Sequence, residues 1–122
     1  AKLIWGEARG IPSMTEKAAV VWCVLNRVDS PKYPDTVAEV VTQRHQFVGY
    51  MESNPVTEEF MEIARDVLVR WHSEKNGTSE VGRVLPKDYL YFTGDGARNY
   101  FTAEWSSSAA EYGWTLPSPY GT

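Results

Sequence analysis

The sequence predicts a single, mainly α (α+β) domain that closes on a small β-hairpin near its C-terminus. Three observations carry this. Helical apolar patterns recur from the first residues onward, and three of them open on a Ser or Thr placed three residues before a Glu or before a helical stripe. The pattern changes to β-prone residues only after Pro86. The length of 122 residues leaves no room for two independent cores, and a hydrophobic content of 43 % with 23 % charged residues suits a globular chain. Residues 1–122 are therefore read as one domain, expected to be a monomer and excised from a longer protein.

The elements follow in order. A first helix is expected from about residue 2 to Arg9, stopped by Gly10. Ile11-Pro12 turns the chain, and Ser13-Met-Thr-Glu16 is a capping box that opens a second helix through about Val28. Ala18 to Leu25 are apolar all the way round, so this helix must be central, with Asn26 and Arg27 as polar exceptions near its end. Ser30 to Pro34 form a loop. Thr36-Val-Ala-Glu39 is a second capping box, opening a short helix to about Gln43 with Val37, Val40 and Val41 inward. Arg44 to Pro55 lack a period and are read as loop. Thr57 caps the longest helix, about Glu58 to Glu74, whose stripe is Phe60, Ile63, Ala64, Val67, Leu68 and Trp71; Asn76-Gly77 ends it. Tyr89–Thr93 and Asn99–Thr102 are strands, with Gly94-Asp95-Gly96 as the turn between them. From Glu104 on, serines and prolines predict an irregular tail.

One side chain breaks the pattern of the first helix. At about 100° per residue, Leu3, Glu7, Ile4 and Ala8 share one arc, while Lys2, Trp5 and Arg9 lie opposite. A surface helix would put a glutamate among its charges. Here Glu7 lies between two aliphatic side chains, where its charged form loses hydration and its proton is expected to be held to higher pH. A glutamic acid protonated near neutrality can donate to a leaving oxygen, as glycosidase acids do. Position alone also allows a buried carboxylate paired with an arginine such as Arg27.

Other chemistries find little footing. The net charge of −4 and the lack of a basic stripe argue against nucleic acid as partner. No apolar run approaches the ~18 residues of a membrane span, and no export signal is visible. His45 and His72 are isolated, so no metal site is expected, and no cofactor motif occurs. Cys23 sits in the apolar helix and is read as inert core. Gly94-Asp-Gly96 with Asn99 lacks the regular oxygen ligands of a calcium loop.

Trp5-Gly-Glu-Ala-Arg-Gly10, followed by Ala18-Ala-Val-Val-Trp-Cys-Val-Leu-Asn-Arg-Val28, resembles the start of the bacterial cell-wall hydrolase family that includes spore-cortex-lytic enzymes. Tyr33-Pro-Asp-Thr-Val37, Val40-Val41, Gln46-Phe47 and the late Leu90-Tyr-Phe92 are similar to further elements of that family. The likeness is dense over residues 3–47 and thin afterwards. It implies a lysozyme-like fold and cleavage of the β-1,4 bond between N-acetylmuramic acid and N-acetylglucosamine in peptidoglycan, by lytic transglycosylase chemistry that leaves a 1,6-anhydromuramic end. Its catalytic glutamate falls on Glu7. Gln46 and Phe47 fall near the substrate groove, and Tyr91 beside it. Without the resemblance, Gln46 and Phe47 read as a loop anchor and core plug, Tyr91 as a half-buried strand residue, and Trp5 as packing. The family often carries a second glutamate where this chain has Ile11.

The resemblance also implies an extracytoplasmic or phage-associated setting in cell wall degradation, spore cortex and germination included, with a peptidoglycan strand as partner. The alternative is a non-catalytic, lysozyme-like module that holds glycan in a phage or spore assembly. Most glycosidases use two carboxylates, and no second one is evident beside Glu7. Glu16 is in a cap, Asp35 and Asp95 are in turns, and Asp66 is on a wet face. A route using one carboxyl and the substrate's own N-acetyl group fits better.

Overall fold

The computed structural model describes residues 1–42, 50–94, 99–103 and 116–120. Its elements are α1 (Lys2–Ala8), α2 (Met14–Asp29), α3 (Val37–Val41), α4 (Glu58–Lys75), β1 (Tyr91–Gly94) and β2 (Asn99–Thr102). The three expected caps form: Ser13, Thr36 and Thr57 accept the backbone N–H groups of Glu16, Glu39 and Phe60. Each such cap contributes about 1 kcal/mol.

α2 is the axis of the molecule and packs against α1, α3, α4 and β1. Ala18, Ala19, Val20, Trp22, Cys23, Val24 and Leu25 are all buried, as a helix without a wet face requires. Each large apolar side chain removed from water contributes roughly 1.5–3 kcal/mol. The α4 stripe lies against this axis: Phe60, Ile63, Val67 and Trp71 are buried, with Ala64 and Leu68 packed beside them. Among the described residues no helix is long and apolar enough to cross a membrane.

The polar exceptions at the end of α2 fasten the chain after α4. Asn26 Nδ2 donates to the carbonyls of Pro86 and Tyr89, both at 2.9 Å, and Arg27 Nε donates to that of Leu90 at 2.6 Å. This explains why β1 starts at Tyr91 and not at Tyr89. The carbonyls of Tyr89 and Leu90 are already taken by α2, so ladder pairing begins two residues later, at Tyr91. The hairpin is antiparallel, with Tyr91 opposite Thr102, Phe92 opposite Phe101, Thr93 opposite Tyr100 and Gly94 opposite Asn99. Gly94 is thus a strand residue; Asp95 and Gly96, the rest of the expected turn, lie outside the described residues.

One further expectation is corrected. Val37 is 41 % exposed, while Val40 and Val41 are buried. It stands in the first turn of α3, among exposed Asp35, Thr36, Ala38 and Glu39, before the helix reaches α2. The segment after α4, without apolar period in the sequence, still contributes Val81, Val84 and Leu85 to the core. Arg70 holds it by donating to the Val81 carbonyl at 2.7 Å. Gly82 has a φ of +85°, and a Cβ there would run into the Arg70 guanidinium. Near the tail, Tyr120 donates to Asp66 at 2.6 Å, and Thr15 and Ser118 share a hydrogen bond of 2.6 Å.

Candidate active site

α1 is only 7 residues long, too short to be stable by itself. Its position is set by tertiary contacts. Leu3, Ile4 and Ala8 enter the core. Trp5 meets the Phe60 ring edge-on at 6.3 Å, the packing role expected for it. Asn54 donates to the Lys2 carbonyl at 3.1 Å, tying the loop before α4 to the start of the helix. At the other end Arg9 folds back, its guanidinium 5.3 Å from the Trp5 ring centre and donating to the Trp5 carbonyl at 3.0 Å.

Glu7 therefore points from a helix held on both sides. It is half-buried, and not enclosed as Leu3 and Ile4 are. The expected apolar arc exists, but the glutamate marks its rim. There it lines a pocket of about 260 Å³ together with Gly6, Ala8, Arg9, Gly10, Ile11 and Asn99. Gly6, Ala8 and Gly10 put no bulky side chain into it, which leaves room for a ligand beside the carboxyl group. Ile11 is buried and supplies an apolar wall.

Asn99, which the sequence places only beside a turn, also lines this pocket. It opens β2, is 3 % exposed, and donates through Nδ2 to the Glu7 carbonyl at 3.4 Å. This bond joins hairpin and helix across the pocket. Asparagine at a strand start is a common turn signal, so nothing local in the sequence marked it. Only the fold brings residues 7 and 99 together.

Tyr91 lies in a different cluster. It is not among the described residues lining the Glu7 pocket. Arg27, buried, has its guanidinium 4.8 Å from the Tyr33 ring centre and 5.5 Å from that of Tyr91. Burial, and then the hydrogen bond shared with Tyr91, push the Tyr33 hydroxyl up to about 12. Burial likewise pushes the Cys23 thiol up to about 12, against the opposing pull of Arg27. A thiol so held is not a nucleophile near neutrality, in keeping with its reading as core. Gln46 and Phe47 lie outside the described residues, as does His45. His72 is exposed, its ring 5.0 Å from that of Trp71.

Asp66, Glu74 and Asp29, away from the Glu7 pocket, are engaged in structural pairs. Burial alone would raise Asp66, but hydrogen bonds from Tyr120 and Arg70 outweigh it and hold the carboxyl below its ordinary range. Glu74 is held low by Arg83, which reaches it at 2.7 and 3.0 Å. Asp29 accepts from Trp71 at 2.9 Å and from Lys75 at 2.7 Å. Among the described residues, Glu7 is the carboxylate on the wall of this pocket.

A family model described as Cell Wall Hydrolase matches residues 13–113 of the chain. The matched span takes in α2, α3, α4 and the hairpin, with Gln46, Phe47, Tyr91 and Asn99, and begins after Glu7. No match was found among the curated proteins or among the solved structures.

Proposed function

The chain belongs to the cell wall hydrolase family, and from that premise we propose that it cleaves the β-1,4 bond between N-acetylmuramic acid and N-acetylglucosamine, with Glu7 as general acid and then base. The observation that carries this reading is the half-buried Glu7 on the wall of a pocket large enough for a sugar ring. In the proposed reaction the Glu7 carboxyl gives its proton to the glycosidic oxygen as the bond from that oxygen to C1 of the muramic residue breaks. The substrate's N-acetyl oxygen steadies the positive charge left at C1. The C6 hydroxyl then bonds to C1 and returns its proton to the Glu7 carboxylate. Atoms balance with no water consumed, and the product is the 1,6-anhydro end of a lytic transglycosylase. Attack by water in place of the C6 hydroxyl would make the enzyme a muramidase.

The helical core with a peripheral hairpin supports a lysozyme-like arrangement. Gln46, Phe47 and Tyr91 are proposed to line the groove beyond the Glu7 pocket, and an extracytoplasmic or phage-associated setting follows from the substrate. The test is digestion of purified vegetative wall and of spore cortex by the wild-type protein and by Glu7→Gln, with released muropeptides weighed by mass spectrometry. Products lighter by one water than hydrolysed ends are expected from wild type, and none from the variant. Binding to the wall by both proteins, with no release by either, would turn the reading to a glycan-holding module. The wall that is cut separates a spore-cortex role from a vegetative one.

A further inference from the structure

We propose that Asn99 grips the glycan in the Glu7 pocket, its side-chain oxygen accepting a hydrogen bond from a sugar N–H or O–H; this rests on the glycan-cleaving reading above. The amide's orientation follows from chemistry. The Glu7 carbonyl can only accept, so the group facing it must be the Nδ2 donor. That leaves Oδ1 turned elsewhere, buried and without a hydrogen-bond partner. A buried acceptor left unpaired costs about 1–3 kcal/mol, and such groups call for an explanation.

The restraint on the amide is also weak, because 3.4 Å is at the long limit for an N–H···O bond. The last torsion of an asparagine side chain is soft. The group can therefore turn toward the pocket it lines, giving up a poor bond to make a good one. Closed off from bulk water beforehand, Oδ1 has no hydration to lose when a donor arrives. The acetamido N–H and the hydroxyls of N-acetylated amino sugars are donors of this kind, and uncharged, which suits a neutral acceptor in a buried place.

The experiment uses the catalytically disabled Glu7→Gln protein and a soluble N-acetylated glycan tetramer cut from peptidoglycan. Nitrogen–proton correlation spectra follow the Asn99 side-chain amide together with the backbone amides of Gly6 and Gly10. All three are expected to shift with the same saturation curve. In parallel, Asn99→Leu in the otherwise wild-type chain is expected to raise KM for soluble glycan about 10-fold, the worth of one hydrogen bond between neutral groups, with a smaller change in kcat and an unchanged melting temperature. If the glycine signals move while the Asn99 side chain stays still, or if the variant keeps the wild-type KM, the inference fails and the proposed function stands. If no pocket signal moves and the wild-type protein releases nothing, both fail together.

Discussion

Two buried asparagines, each 3 % exposed, behave in opposite ways. Asn26, near the end of α2, uses its whole amide. Nδ2 donates to two carbonyls at 2.9 Å, and Oδ1 accepts from Arg83 at 2.6 Å. Arg83 in turn donates to Glu74 and to the Leu85 carbonyl, and its guanidinium lies 4.3 Å from the Trp22 ring centre. Asn99, at the Glu7 pocket, makes one long bond and leaves Oδ1 unpaired. The same side chain is a rivet in one place and an open hand in the other. A saturated polar network belongs to stability, whereas an unsaturated one at a pocket belongs to binding.

This contrast is sharpened by variants on both sides. The largest effect is expected at the open side. Glu7→Gln should lower glycan cleavage by about 10²–10⁴-fold, the usual contribution of a general acid. On the rivet side, Asn26→Leu strands two backbone carbonyls and removes one partner of Arg83. It should cost about 3 kcal/mol in urea unfolding. A loss below about 1 kcal/mol would mean that saturation at Asn26 is incidental.

Glu74→Gln tests the charged part of the same network. Arg83 holds the Glu74 carboxyl below its ordinary range, so the ionised form favours folding. That stability is present above the unfolded value of about 4.5 and is lost as pH falls through the lower folded value. Wild type should exceed the variant by about 1–2 kcal/mol at neutral pH, with the gap closing in acid titrations below that value. A gap that stays constant down to strongly acidic pH would remove the charge from the explanation. The smallest effect on stability is expected at Asn99→Leu. It trades a weak bond and an unpaired acceptor for apolar volume, and should change unfolding free energy by less than about 1 kcal/mol. A loss as large as that of Asn26→Leu would erase the distinction between the two residues.

Much of the framework was legible in the chain because it depends on neighbours in sequence. The Ser13, Thr36 and Thr57 caps act within three residues. The apolar run of α2 allows no position but the centre, and the α4 stripe repeats with the helical turn. Even Glu74, which drifts onto that stripe, is accounted for once Arg83 meets it. Less legible was the segment around Val81, Val84 and Leu85. Its burial comes from hydrogen bonds with Asn26 and Arg70, not from any period of its own. The same holds for Val37, whose place on the α3 face matters less than its distance along the helix from α2.

At the candidate site the division is just as clear. An acidic group among aliphatic neighbours is a pattern within one helical turn, so Glu7 could be singled out from residues 1–10 alone. The pocket could not, because it requires the hairpin to return across 92 positions and lay Asn99 on the Glu7 carbonyl. What the amino-acid order determined by itself was the set of helices, their caps, the central one among them, and the odd carboxyl in the first. What the tertiary structure alone decided was how much water Glu7 sees, which amide stands beside it, and which of two asparagines has hydrogen bonds to spare. The physical reason is range: capping and periodicity act over one or two turns, whereas burial and hydrogen-bond saturation depend on whichever distant segment packs alongside.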